Sequence, residues 1–163
     1  IGIGESGLDY FYDHAPRNRQ AASFRAHIAA SRQSGLPLIV HTRDADDDMA
    51  AILEEEMARG RFRGVVHCYS SSRMLAERAT ALGLHLGIGG ILTFKRADEL
   101  RATARDMPRE LLLLETDSPY LAPVPKRGRT NEPAYTRFVA EVLAEVLGHE
   151  PGIGRLEIGR AHV

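Results

Sequence analysis

Leu36-Pro-Leu-Ile-Val-His-Thr-Arg43 is a short apolar run that turns polar at a histidine, and it reads as a strand with a ligand-type residue at its tip. Three other segments repeat the pattern. Gly64-Val-Val66 precedes His67, Leu111-Leu-Leu-Leu114 precedes Glu115-Thr-Asp117, and the short Ile1-Gly-Ile-Gly4 precedes Glu5. Each strand is expected to close on a residue type that binds metal: Glu5, His41, His67 and Asp117. In an α/β barrel the catalytic groups sit at the carboxyl ends of the strands, where the βα loops converge, so ligands on separate strands can meet.

Eight units in roughly 250 residues allot about 31 residues to each βα repeat of such a barrel. The interval from His67 to Asp117 is long enough for one more strand. His85-Leu-Gly-Ile-Gly-Gly-Ile-Leu92 supplies it, rich in glycine and without a metal ligand. Segments with apolar residues at the helical period fill the gaps. Arg17 to Ser34 carries Ala21, Phe24 and Ile28 and ends at Gly35, with Pro37 forbidding continuation. Asp46 to Arg59 carries Met49, Ile52, Leu53 and Met57, and Gly60 is placed for a left-handed stop. Ser71 to Leu82 is followed by Gly83, a weaker helix from Arg96 to Asp106 stops before Pro108, and Thr136 to Leu147 shows the cleanest stripe. Strand-helix alternation of this kind implies parallel strands with right-handed crossovers. The expected fold is α/β, a partial TIM (β/α)8 barrel of about five parallel strands with flanking helices.

At 163 residues the chain is long enough for one domain with a real core. Apolar residues make up 44% and charged residues 26%, as in soluble globular proteins. A net charge of −1 leaves no basic field over the surface, so any nucleic-acid contact must rest on a local patch. The single Cys68 excludes an internal disulfide and fits a reducing, cytoplasmic compartment. No apolar run approaches the roughly 20 residues needed to span a bilayer. The domain is expected to occupy residues 1–157. The last six residues, Ile158-Gly-Arg-Ala-His-Val163, resemble a translated sequencing adapter and are read as a non-native or disordered tail.

Carboxylates and neutral imidazoles together suit Zn²⁺ or Mn²⁺, and carboxylates suit Mg²⁺ as well. A lone histidine after an apolar run is usually structural; four ligand types closing four of five strands are a different matter.

Five blocks then carry a specific resemblance. Gly4-Glu-Ser-Gly-Leu-Asp-Tyr10, Val40-His-Thr-Arg-Asp-Ala45, Gly64-Val-Val-His-Cys-Tyr-Ser70, Glu115-Thr-Asp-Ser-Pro-Tyr-Leu-Ala-Pro123 and Arg127-Gly-Arg-Thr-Asn-Glu-Pro-Ala-Tyr135 resemble, in order, the signatures of the TatD family of metal-dependent deoxyribonucleases. The resemblance implies an amidohydrolase-type barrel with a binuclear divalent-metal site, Glu5, His41, His67 and Asp117 as ligands, and Glu5 bridging two ions. Asp117 would also be the general base. The implied activity is exonuclease-like hydrolysis of DNA phosphodiester bonds, from ends or single strands. An ester such as a misacylated tRNA is the alternative substrate. By the family pattern the chain starts at about the fourth barrel strand, so strands one to three and a His-x-His pair fall outside it. An isolated chain of this extent is expected to bind metal weakly and to be nearly inert. Ser6 stands where the family usually has Ile or Val, a change expected to be tolerated.

Other polar residues divide between roles. Glu115 is read as supporting the site from one layer deeper or as simply buried. Arg43 would hold a phosphate or pair with Asp44, itself a candidate N-cap. Asp46, Asp47 and Asp48 complement a helix dipole. Lys126, Arg127 and Arg129 form the one concentrated basic patch, and the resemblance favours substrate contact for Arg127, Asn131 and Glu132. Tyr10, Tyr69 and Tyr120 would stack bases at the rim or pack beneath loops. Cys68 is read as a small buried hydrophobe.

Overall fold

The computed structural model describes residues 1–148; the expected domain limit at 157 and the tail from Ile158 lie outside the described residues. Five strands alternate with five helices: β1 Ile3–Asp9, α1 Arg17–Ser34, β2 Leu38–Arg43, α2 Asp46–Arg59, β3 Gly64–Val66, α3 Arg73–Ala81, β4 His85–Ile88, α4 Asp98–Asp106, β5 Leu112–Leu114 and α5 Thr136–Val146. The sheet order is β1-β2-β3-β4-β5, with sequential neighbours parallel, so the expected α/β arrangement is present. Among the described residues no helix is long and apolar enough to cross a membrane.

Two compact units divide the chain, one formed by Ile1–His67 with Ser71–Leu86, the other by Cys68–Ser70 with the chain from Gly87 onward. The core of the first unit contains Leu8, Phe24, Leu38, Val40, Leu53 and Leu75, all fully buried. These come from strands and from the stripes of α1, α2 and α3, as the 3.6 period requires. In the second unit Ile88 and Leu92 are buried, and Val139, Leu143 and Val146 turn one face of α5 inward.

The strands differ from expectation at their polar ends. β1 does not stop at Glu5, and β2 does not stop at His41. The ladder continues through Gly7↔His41, Leu8↔Thr42 and Asp9↔Arg43. Backbone pairing is indifferent to side-chain polarity, so a strand outlasts its apolar run. Between Ile3 and Ser6 the register shifts, with Gly4 at φ 127°, a backbone region open to glycine. Glu5 therefore sits in a bulge, which re-aims its side chain.

β4 is shorter than the expected His85–Leu92. After Ile88 the chain enters a 3₁₀ turn at Gly90–Thr93. A Cβ at Gly90 would collide with the Leu121 carbonyl, so this glycine lets two backbones approach where a strand side chain would block them. At α2 the N-cap is Ala45 rather than Asp44, which takes φ 53° instead. Asp46 is drawn elsewhere and accepts a hydrogen bond from the Ser72 N–H at 2.7 Å.

Candidate active site

In the first unit, the bulge in β1 and the polar end of β2 bring Glu5 and His41 together, and Asp9 joins them. His41 Nδ1 lies 2.9 Å from Glu5 Oε1, and His41 Nε2 lies 3.0 Å from Asp9 Oδ2. Asp9 was not singled out in the sequence. It is the fourth residue after the predicted ligand Glu5, and strand alternation carried past Glu5 would have set both on one face. Burial raises the Asp9 pKa, but the N–H of Tyr12, the His41 hydrogen bond and charge, and the N–H of Phe11 outweigh it, leaving the carboxyl below its ordinary value. His67 directly follows β3, and its backbone N–H donates to the Val40 carbonyl at 2.8 Å.

This constellation decides what the donor set can hold. A neutral imidazole carries one N–H, yet both ring nitrogens of His41 face carboxylate oxygens. The Asp9 contact is the hydrogen bond, and Glu5 stands beside the other nitrogen at ion-pair distance. Carboxylate and imidazole donors fit a divalent ion of the Mn²⁺ or Zn²⁺ type. As arranged, His41 is hydrogen-bonded to Asp9 and stands at ion-pair distance from Glu5, and among the described residues no group of three or more His, Cys, Asp or Glu is placed to hold an ion outright.

In the second unit Asp117 lies three residues past β5 at φ 58°, and its carbonyl accepts the Tyr120 N–H at 2.9 Å. Asn131 templates this loop. It is 3% exposed, and its Nδ2 donates to the carbonyls of Thr116 and Tyr120, both at 2.7 Å. Its own N–H donates to the Pro119 carbonyl at 3.0 Å. Burial on this scale removes Asn131 from any substrate-facing surface and makes it a positioning residue.

Glu115 directly follows β5 and is also committed to backbone. Its Oε1 accepts the N–H of Cys68 at 2.5 Å. Cys68 has φ 47° and directly follows His67. A Cβ at Gly87 would fall inside the Glu115 carboxylate, so a glycine is needed there for the carboxylate to reach Cys68. Glu115 thus supports backbone next to a candidate ligand.

The remaining predicted residues scatter. Tyr69 is 2% exposed, so it packs in the core and is withdrawn from base stacking. Tyr10 donates to Asp48 at 2.6 Å. Its pKa is raised to about 12, by burial first and then by Asp48. Tyr120, by contrast, is 70% exposed. Arg43 does not pair with Asp44; its guanidinium lies over the rings of Phe11 and Tyr12. Arg127 is exposed and lies 3.9 Å over Phe94. Glu132 is exposed and accepts the Tyr135 hydroxyl at 3.2 Å. Cys68 is half-buried rather than buried.

The family described as TatD related DNase matches residues 1–153. The metal-dependent hydrolase YcfH of Escherichia coli K12, named as uncharacterized, is 47% identical over 148 residues, covering 91% of this chain and 56% of that protein. A Rahnella protein named 3'-5' ssDNA/RNA exonuclease TatD is 37% identical over 157 residues, covering 93% of this chain and 59% of its own length. The crystal structure of the TatD homologue YJJV from E. coli K12 superposes with a TM-score of 0.81 at 34% identity, over 90% of this chain and 56% of that one. An Entamoeba histolytica TatD-family hydrolase has the same fold at 22% identity, with a TM-score of 0.78. The chain spans a little over half the length of the relatives it matches. With the signature blocks in order and the match running from residue 1 to 153, the chain belongs to the family of TatD-related DNases.

Proposed function

We propose that the intact protein carrying this chain is a metal-dependent phosphodiesterase that cleaves DNA from exposed ends or single strands. Glu5, His41, His67 and Asp117 are the proposed ligands that would hold two divalent ions, Mg²⁺, Mn²⁺ or Zn²⁺. Such ions, when bound, stabilise charge on the attacking and leaving oxygens and lower the pKa of water. Asp117 accepts the proton of the attacking water, as a base within hydrogen-bond reach must. Asp9 takes the Nε2–H of His41, which fixes the tautomer and frees the Nδ1 lone pair on the side where Glu5 lies. Glu115 holds the backbone after His67, and the exposed Arg127 can meet a phosphate beside its contacts with Phe94 and the Ala122 carbonyl.

The observation that supports this reading most is the Glu5–His41–Asp9 constellation, two carboxylates flanking one imidazole within a TatD-family chain. The relative named a 3'-5' ssDNA/RNA exonuclease makes nucleic acid the first substrate to try. End-labelled single-stranded oligonucleotides should release nucleotides only with divalent ion present. Chelation should abolish release, and Asp117→Asn should slow it at least about a hundredfold, the usual contribution of a general base. Deacylation of misacylated tRNA without nucleotide release would sink the nuclease reading in favour of an esterase.

A further inference from the structure

We propose that Phe11 and Tyr12, held by Asp9 and covered in part by Arg43, form a stacking platform for the terminal base of a single-stranded nucleic acid. The proposal rests on the phosphodiesterase reading above and adds to it the surface that seats the base.

The loop between β1 and α1 exposes 56% of Phe11 and 55% of Tyr12. Large aromatic surface in water has a hydration cost, yet these rings are ordered against each other. Phe11 and Tyr12 meet edge to face with centroids 4.9 Å apart, and Tyr12 stacks on His14 at 5.4 Å and 7°. Their backbone is pinned from beneath. Asp9 Oδ1 accepts the N–H of Phe11 at 3.1 Å and of Tyr12 at 2.9 Å. The Gln20 carboxamide accepts from the Asp9 N–H at 2.8 Å and donates to the Ala15 carbonyl at 2.8 Å. Rings fixed in this way lose little freedom when a flat partner lands on them.

Charge identifies the partner. The Arg43 guanidinium lies 3.9 Å over Phe11 and 4.9 Å over Tyr12. It makes no ion pair among the described residues, so a cation with spare N–H donors borders the rings. A planar π-face next to an anion is the complement, which describes a base and its phosphate. The second Asp9 oxygen holds His41 at 3.0 Å, so one carboxylate ties the platform to a proposed metal ligand. Such a connection keeps a seated base in fixed relation to His41.

The test uses the intact protein, in chelator to prevent cleavage, and a short single-stranded oligonucleotide with 2-aminopurine as its terminal base. Stacking should quench the terminal fluorophore on binding. The exposed pair Phe11→Leu/Tyr12→Leu should remove the quenching and weaken binding about tenfold. Phe11→Tyr should retain both, and an oligonucleotide ending in an abasic nucleotide should bind wild type and variant alike. Binding with no quenching of the terminal base overturns the platform while leaving the nuclease reading intact. No binding of the oligonucleotide at all overturns both. If the double substitution leaves quenching unchanged but alters sedimentation, the rings join copies of the protein and the platform is refuted.

Discussion

Asn131 commits its whole side chain to backbone. Two carbonyls, of Thr116 and Tyr120, receive its amide hydrogens, and its Oδ1 accepts the Glu132 N–H at 2.9 Å. Those bonds shape the loop that presents Asp117. Removing one partner of a buried hydrogen bond costs about 1–3 kcal/mol for each group left unsatisfied. Asn131→Ala should therefore lower unfolding stability by about 2 kcal/mol or more. Asn131→Asp should cost more, because a carboxylate must be desolvated against two carbonyl oxygens. Urea denaturation of the intact protein checks the order of the two variants. A fall in turnover larger than the fall in folded fraction would show that the loop aims Asp117.

Between α1 and α2 a buried carboxylate gathers several arginines. Glu56 is 3% exposed, and it receives Arg25 and Arg32 at 2.7 Å and Arg59 at 2.8 Å. Burial raises the Glu56 pKa, but Arg32 and Arg25 outweigh it and leave the carboxyl below its ordinary 4.5. A group whose folded pKa is depressed contributes stability above its unfolded pKa and loses it as pH falls through the folded value. The stability gap between wild type and Glu56→Gln should therefore be constant near neutrality and shrink below about pH 4.5. A gap that widens with acid would reverse the sign. These two helices are legible in the sequence to the residue, from an apolar stripe and the glycine that follows each, although only Gly35 takes the left-handed stop and Gly60, expected to do the same, is extended at φ 169°. The strands were legible only in their apolar halves. Gly7, Leu8 and Asp9 carry no apolar run, and their place in β1 is set by pairing with β2, which no local pattern records. Asp9 lies in that stretch and emerges only when alternation is carried past Glu5, and the sequence around Asn131 carries no sign of its burial.

Glu5, His41, His67 and Asp117 come from four separate stretches of chain, each positioned by a different strand or the loop beyond it. An ion held by these proposed ligands would bind the native state alone, since the unfolded chain brings no such set together. Binding to the native state alone raises stability by RT ln(1 + [L]/Kd), about 2.7 kcal/mol at a hundredfold excess over Kd. The intact protein should thus melt higher with Mn²⁺ or Zn²⁺ than in chelator, by several degrees for a domain of 150–250 residues or more. His41→Ala should shrink that increment, because it removes the imidazole donor that lies between Glu5 and Asp9. Arg43→Ala should leave the increment unchanged, since its guanidinium contacts rings rather than the donor set. An increment that survives His41→Ala intact would place the ion elsewhere, and the proposed ligand set would have to be abandoned even if the protein cleaved DNA.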